Sequence, residues 1–217
     1  MLVVALAFCD LLCCSMVMPL GVIEVFENGK WNFGAEVCGM RSVLNDYIQC
    51  ASIYHVTCMA VDRYLAVCKP FVHRLLTNKA GYLMIAVSLI VPASLVGINT
   101  IISLTGDRYG SFWSNNVQYF VWVIAFYAPF FVSYILYLLI LIEAQRQTTL
   151  PHIKPVVTSS AIKNMKAYHT LGCLIICYTI CWLPGWLTIF FEDQSSGHIF
   201  ILLSWLTYVN TVLNPLL

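Results

Sequence analysis

Long apolar segments separated by short polar ones follow each other along the whole chain. Six of these segments reach the length of a membrane-spanning helix: about 1–23, 37–68, 80–103, 117–142, 167–191 and 198–217. Because a helix rises about 1.5 Å per residue, about 20 apolar residues cross the roughly 30 Å of hydrocarbon in a bilayer. The pattern therefore predicts six helices, each of which spans a membrane.

The composition agrees with a multi-pass membrane protein. Hydrophobic residues make up 60% of the 217 residues and charged residues 10%, and the mean hydropathy is +0.82. Few soluble domains of this length have such a composition. The first segment has no basic residues before it and carries Asp10 in its middle, so we interpret it as a span and not as a signal peptide. The predicted fold class is all-α.

Basic residues are concentrated in two of the five connecting loops. Eight of the eleven Lys and Arg residues lie in or beside these loops: Arg63, Lys69, Arg74, Lys79, Arg146, Lys154, Lys163 and Lys166. By the positive-inside rule the two loops face the cytoplasm, and alternation then places both chain ends inside. The outermost segments lack flanking polar anchors, so we expect the chain to be a fragment of a longer protein.

Polar and proline residues interrupt the predicted spans. Asp10 stands in the middle of the first span and must face the protein interior, because an ionisable group in lipid is costly. Three prolines lie inside three separate later spans, and each frees a backbone carbonyl and kinks its helix. These prolines are Pro129, Pro184 and Pro215. The kinks predict hinges and an internal cavity.

The triplet Asp62-Arg63-Tyr64 stands where the second apolar segment meets a basic loop. An acid and an arginine at the edge of a lipid-length helix are costly unless the site has a function. The alternative interpretation is an arginine that extends its charge into water beside an acid that is there by chance. The triplet alone does not distinguish these interpretations.

Five further motifs accompany the triplet in a fixed order. They are LAFCDL at 6–11, WNFG at 31–34 followed by Cys38, Pro129 with Tyr137, CWLP at 181–184, and Asn214-Pro215. Together the six motifs resemble the rhodopsin-like (class A) G protein-coupled receptors over nearly the whole chain. The resemblance implies a seven-transmembrane-helix bundle in the plasma membrane, in contact with lipid. Residues 1–217 then form a single bundle of helices two to seven, without helix one and the end of helix seven.

The resemblance also implies a sodium site. Four polar residues in the spans resemble the residues that hold a sodium ion in resting receptors: Asp10, Ser52, Asn210 and Asn214. A buried carboxylate with neutral oxygen donors suits a small hard cation. We expect no other cofactor. A retinal-binding member of the resembled family would need a lysine in helix seven, and no lysine occurs in 167–217, so we expect no retinal.

Six residues match the family's switch: Asp62, Arg63, Tyr64, Tyr137, Trp182 and Pro184. By resemblance, Trp182 moves when an agonist binds, and Pro184 acts as the hinge. Arg63 then leaves Asp62 and reaches the Gα subunit of a heterotrimeric G protein, while Tyr137 supports the open state.

Neither a hydrolase nor a transferase arrangement is visible, so the chain is not predicted to be an enzyme. Nucleic acid is not an expected partner.

The ligand class is indicated by Trp205 and Tyr208, which resemble a pair found in receptors for biogenic and trace amines. An ammonium ligand needs a carboxylate and aromatic faces around it. Counting seven residues from Cys38, the amine-binding position is Asn45, and Asp46 follows it. One step along a helix turns a side chain by about 100°. We hypothesise that Asp46 binds the ammonium group.

The predicted ligand-binding residues are Asn45, Asp46, Gln49, Trp122, Trp182, Trp186, Trp205 and Tyr208. Trp122 and Trp186 equally suit an aromatic belt at the membrane surface.

Cys38 is expected to be a free thiol unless a preceding segment supplies a partner, since the predicted outer loop at 103–116 has no cysteine. The alternatives to an amine receptor are an orphan receptor, a receptor for a peptide or other ligand, and a truncated inactive product.

Overall fold

The computed structural model of the chain describes residues 2–27, 32–76, 78–109, 120–121, 123–149, 159–188 and 197–214. In the last two ranges, side chains are described for 170–184, 203 and 205–214. The elements are α1 (Leu2–Leu12), π1 (Cys13–Val17), α2 (Met18–Phe26), α3 (Gly34–Cys68), α4 (Pro70–Leu75), α5 (Asn78–Tyr109), π2 (Val123–Tyr127), α6 (Ala128–Thr149), α7 (Ser159–Thr188) and α8 (Gly197–Leu213). The predicted all-α fold class is confirmed.

Helices occupy each of the six predicted spans, but several extend beyond the predicted ends. For example, α5 continues to Tyr109 and α6 to Thr149. Hydropathy marks where a helix meets lipid, whereas backbone hydrogen bonding continues into polar sequence. Among the described residues, three stretches are long and apolar enough to cross a membrane: Leu2–Phe26, Lys79–Thr105 and Val123–Arg146.

The chain divides into two compact units, Met1–Thr149 and Leu150–Leu217. In the first unit, α3 is the central helix and packs against α1, α5 and α6. Its middle section is mostly buried between Ile48 and Ala60. A helix enclosed by other helices can carry polar residues, which explains why α3 is less apolar than its neighbours. In the second unit, α7 packs against α8. The assignment of residues 1–217 to a single bundle stays a prediction.

Each π segment directly precedes a proline near the start of the next helix. Pro19 follows π1 and Pro129 follows π2. Proline has no N–H and its ring clashes with the preceding turn, so the helix widens locally to accommodate it. In π1, the Ser15 hydroxyl donates to the Leu11 carbonyl oxygen at 2.8 Å. The predicted disturbance at Pro129 takes the form of a π segment.

Side chains of α3 bond the carbonyl groups around π2 and Pro129. The Cys50 thiol donates to the Ala125 oxygen at 3.4 Å, and the Tyr54 hydroxyl donates to the Ile124 oxygen at 3.3 Å. The Thr57 hydroxyl lies 3.1 Å from the Pro129 oxygen and 2.8 Å from Ser133 Oγ. Backbone acceptors inside a membrane protein need such partners, since lipid offers none. These contacts connect α3 to the irregular start of α6.

A buried histidine joins α3 to α5. His55 is fully buried, and its Nδ1 lies 2.7 Å from the Ala51 oxygen of its own helix. Its Nε2 lies 3.2 Å from Oγ of Ser88, which is also fully buried. Both ring nitrogens therefore have polar neighbours within the bundle. The contacts agree with a packing role for this residue.

The outer end of α3 is fixed by backbone conformation and by an ion pair. Gly34 begins the helix with φ of +82°, a left-handed conformation that favours glycine. Two turns later, Arg41 Nη1 lies 2.5 Å from Glu24 Oε2 of α2. The Arg41 side chain is 17% exposed and that of Glu24 is 37% exposed. The pair connects α2 to α3 at the end that charge placement assigns to the outside.

Candidate functional site

Three predicted ligand-binding residues form a row of hydrogen bonds on α3. The Gln49 amide nitrogen donates to Asn45 Oδ1 at 2.8 Å. The Asn45 amide nitrogen in turn donates to Asp46 Oδ1 at 3.4 Å. Positions 45 and 49 are one helical turn apart and share a face, which explains the first bond. The structure therefore brings the displaced acid, Asp46, into contact with the position expected to bind an amine.

Gln49 has an acceptor atom without a hydrogen-bond partner among the described residues. Its Oε1 is buried, and the residue as a whole is 8% exposed. A buried acceptor without a partner costs about 1–3 kcal/mol, so such atoms are uncommon unless a ligand or water bonds them. The polar row thus offers a carboxylate at Asp46 and an open acceptor at Gln49. A ligand with a cationic group and a second donor group suits these two features.

A cavity of about 760 Å³ lies between π1, α2 and the outer part of α3. Its lining is mainly apolar and includes Pro19, Met40 and Tyr47, with Arg41 as its charged member. None of Asn45, Asp46 and Gln49 lines it. The cavity is therefore distinct from the polar row.

The predicted aromatic residues of the second unit form two ring pairs. Trp182 is 8% exposed and stacks on Tyr178, with ring centroids 5.3 Å apart and planes 10° apart. Trp205 and Tyr208 meet edge to face at 5.5 Å. Offset-stacked and edge-to-face ring pairs are favourable because the partly positive edge of one ring lies against the partly negative face of the other. Trp122 and the side chain of Trp186 lie outside the described residues.

The predicted sodium ligands are all buried. Asp10 is 1% exposed and Ser52 5% exposed, on α1 and α3 of the first unit. Asn210 and Asn214 are also buried at the end of the second unit. Asn210 Oδ1 is buried without a hydrogen-bond partner among the described residues. A carboxylate, a hydroxyl and amide oxygens are the donor types that a sodium ion takes, so their chemistry fits the ion.

Asp62 contacts Arg63 and also a residue that the sequence did not single out. Arg63 Nε donates to Asp62 Oδ2 at 3.0 Å, and an Arg63 terminal nitrogen contacts the same oxygen. The other carboxylate oxygen, Oδ1, lies 3.3 Å from His73 Nε2 on α4. The feature of the sequence that could have pointed to His73 is the basic loop after the triplet. A histidine in this loop does not stand out among its lysines and arginines.

The other switch residues lie on α3, α6 and α7. Tyr64 at the inner end of α3 and Tyr137 on α6 are both half-buried. Pro184 lies inside α7, which continues through it to Thr188. The roles of these residues and of Trp182 stay predictions. The ten cysteines, Cys38 included, all lie among the described residues and form no disulfide with one another.

Comparison with known proteins gives a family and several relatives. The model of the family described as 7 transmembrane receptor (rhodopsin family) matches residues 1–217. The human 5-hydroxytryptamine receptor 4 is 30% identical to the chain, over 99% of the chain and 65% of the receptor. The octopamine receptor beta-1R of Drosophila melanogaster is 29% identical, over 99% of the chain and 51% of the receptor.

A trace amine-associated receptor is also similar. Trace amine-associated receptor 5 of Rattus norvegicus is 26% identical, over 100% of the chain and 69% of the receptor. The chain thus spans about half to two thirds of the length of these receptors. The names of all three relatives refer to amines.

Proposed function

The chain belongs to the rhodopsin family of seven-transmembrane receptors, and from this membership we propose that it binds an extracellular biogenic or trace amine and activates a heterotrimeric G protein. Membership confirms the predicted family, the multi-pass location in the plasma membrane and the prediction that the chain is not an enzyme. The ligand, the partner and the roles of individual residues are the content of the proposal.

The relatives support an amine as the ligand. 5-Hydroxytryptamine and octopamine, after which two of the relatives are named, are arylethylamines, and their aliphatic amino group is an ammonium at neutral pH. A cation of this kind is bound by a carboxylate and by the faces of aromatic rings. The chain supplies Asp46 on α3 as the carboxylate. Trp182, Trp205 and Tyr208 are the proposed aromatic residues.

The observation that carries the proposal is the bond between Asn45 and Asp46. Asp46 follows the expected position by one residue, and one residue along a helix rotates a side chain by about 100°. Helix geometry alone would therefore direct this carboxylate away from the expected position. The contact of Asp46 Oδ1 with the Asn45 amide keeps the carboxylate in one polar row with Asn45 and Gln49. We assign the ammonium group to Asp46 and a second donor group of the ligand to Gln49 Oε1.

A sodium ion is part of the same proposal. Asp10 and Ser52 of the first unit are the residues that would hold it, and Asn210 and Asn214 are the further candidates from the sequence. The ion supplies a positive charge beside a carboxylate that is otherwise costly to bury. It thereby stabilises the resting conformation in which that carboxylate is enclosed.

Coupling to the G protein is assigned to Arg63. In the structure this residue is bound to Asp62 at the inner end of α3. The ligand binds the active conformation more tightly than the resting one and so shifts the population towards a state with Arg63 released. The released guanidinium then contacts the Gα subunit.

Replacement of Asp46 tests the ligand assignment. In cells that express the chain and a G protein reporter, we expect at least one arylethylamine to give a response. Asp46→Asn keeps the size and removes the charge, so amine potency falls about 10- to 100-fold, the value of a charge-assisted hydrogen bond. Glu36→Gln removes an exposed charge from the first turn of the same helix and is the control. Unchanged potency in Asp46→Asn would refute the role of this acid, and silence to every amine would refute the ligand class.

A further inference from the structure

The carboxylate of Asp62 is divided between two partners. Oδ2 is bound by Arg63, the next residue on the same helix. Oδ1 faces His73 Nε2 at 3.3 Å. Because the two oxygens are occupied by different groups, neither partner has the whole carboxylate. Arg63 is therefore held by one oxygen, whereas an arginine paired alone with a carboxylate can bind both.

The chain between α3 and α4 places His73 beside Asp62. α3 ends at Cys68, and Lys69 leaves the helical conformation with φ of −133° and ψ of 56°. The Lys69 N–H still donates to the Leu65 oxygen at 3.1 Å, and the His73 N–H donates to the Lys69 oxygen at 3.0 Å. α4 thus starts within one turn of α3, and its first turn directs His73 back to the inner end of α3.

The three side chains are accessible to water. Exposure is 27% for Asp62, 35% for Arg63 and 38% for His73. Protons can therefore reach the imidazole ring from the cytoplasmic side. The charged groups around this junction are Asp62 and Arg63 on α3, Lys69 between the helices, Arg74 on α4, and Glu143 and Arg146 on α6.

We propose that His73 is a positioning residue that competes with Arg63 for Asp62 and makes the release of Arg63 sensitive to cytoplasmic pH. A neutral imidazole gives Asp62 one ordinary hydrogen bond. A protonated imidazole gives it a charge-assisted bond and also repels the Arg63 guanidinium. Both effects weaken the ion pair between Asp62 and Arg63, so acidification favours the state in which Arg63 is released. The proposal rests on the proposed coupling role of Arg63.

The test is G protein nucleotide exchange driven by the chain in open membrane sheets, without ligand, at pH 7.5 and 6.5. Each rate is divided by the rate of the same G protein without the chain, which removes the pH dependence of the G protein itself. For the natural chain we expect the ratio to rise about threefold to fivefold on acidification, the difference between a neutral and a charge-assisted bond. His73→Gln keeps a donor without a titrating charge, so its ratio is independent of pH. His73→Phe removes the donor, and its ratio is low and independent of pH.

His152→Gln is the matched control. It removes a histidine from the other predicted cytoplasmic loop and changes neither Asp62 nor its two partners in the sequence. This variant is expected to keep the full pH response. A pH response that survives in His73→Gln, or one that disappears in His152→Gln, overturns the proposal.

A second measurement does not require the G protein. The chain is labelled with ¹³C-histidine in lipid nanodiscs, and the His73 ring signal is assigned by its loss in His73→Gln. Asp62→Asn is expected to shift this signal, whereas Glu36→Gln, which changes an exposed acid in the first turn of α3, is not. An unshifted signal in Asp62→Asn overturns the contact and the proposal. A shifted signal in a chain that never stimulates exchange refutes the proposed function and leaves the contact standing.

Discussion

Single residues with a polar side chain in an apolar span were the ones best predicted from the sequence. Asp10, which was predicted to face the protein interior, is buried in the structure, as are Ser52, Asn210 and Asn214. The prediction succeeds because lipid excludes polar groups, so their place in the sequence already fixes which way they face. His73 was not found, because its contact with Asp62 depends on the break at Lys69 and on the direction of α4.

The sodium assignment leads to a prediction at this scale. The proposed ion stabilises the resting state, so raising sodium from zero to 150 mM, with N-methylglucamine keeping the ionic strength constant, is expected to weaken amine binding about fivefold or more. Asp10→Asn removes the charge that attracts the ion, and we expect this variant to show equal affinity in both salts. Competition binding on membranes measures the effect. Sodium sensitivity that persists in Asp10→Asn would exclude this carboxylate as the ligand.

Whole helices were predicted from hydropathy, but their irregular parts were not. The six predicted spans correspond to helices, because apolar length is a strong signal. The segments π1 and π2 differ from α-helix only in hydrogen-bond spacing, to which hydropathy is insensitive. Pro129 signalled a disturbance, while its form depends on the partners that Cys50, Tyr54 and Thr57 provide.

The contacts of α3 with the start of α6 are predicted to stabilise the first unit. Thr57→Val keeps the shape of the side chain and removes the hydroxyl that lies near the Pro129 oxygen and Ser133 Oγ. The expected loss is about 1 kcal/mol in the free energy of unfolding. Thr100→Val is the control, since the Thr100 hydroxyl bonds the Val96 oxygen of its own helix.

Thermal unfolding of both variants in the same detergent measures the difference. Thr57→Val is expected to unfold at a lower temperature than the natural chain, and Thr100→Val at nearly the same temperature. Equal unfolding temperatures in the two variants would show that the contacts to α6 do not stabilise the unit.

The start of α3 gives a prediction about backbone conformation. Gly34 has φ of +82°, and a Cβ there would meet no atom within 4 Å. Any cost of Gly34→Ala therefore comes from the left-handed backbone and is about 1 kcal/mol. Gly39 has equal space but lies inside the helix, so Gly39→Ala is expected to be neutral or stabilising. Unfolding in detergent compares the two, and a stabilising Gly34→Ala would contradict the assigned conformation.

At the scale of the whole molecule, the order of motifs was sufficient to predict the family. The match to the receptor family covers residues 1–217 and agrees with that prediction. The orientation follows from the basic loops, and it places the Asp62-Arg63-His73 cluster on the cytoplasmic side. The identity of the ligand is less determined by sequence, because the shift from Asn45 to Asp46 changes the direction of the acid. In the structure the two side chains are in contact, and the role of Asp46 in binding an amine stays a proposal.

The most direct test of the account is amine-stimulated nucleotide exchange by a purified G protein, measured with the natural chain, Arg63→Gln and Arg74→Gln in membranes. Amine binding is measured on the same membranes. We predict that an arylethylamine accelerates exchange with the natural chain and with Arg74→Gln, which loses an exposed cation of α4. Arg63→Gln is predicted to bind the amine and to leave exchange at the rate of the G protein alone. Full acceleration by Arg63→Gln, or none by the natural chain with any amine, would contradict the account.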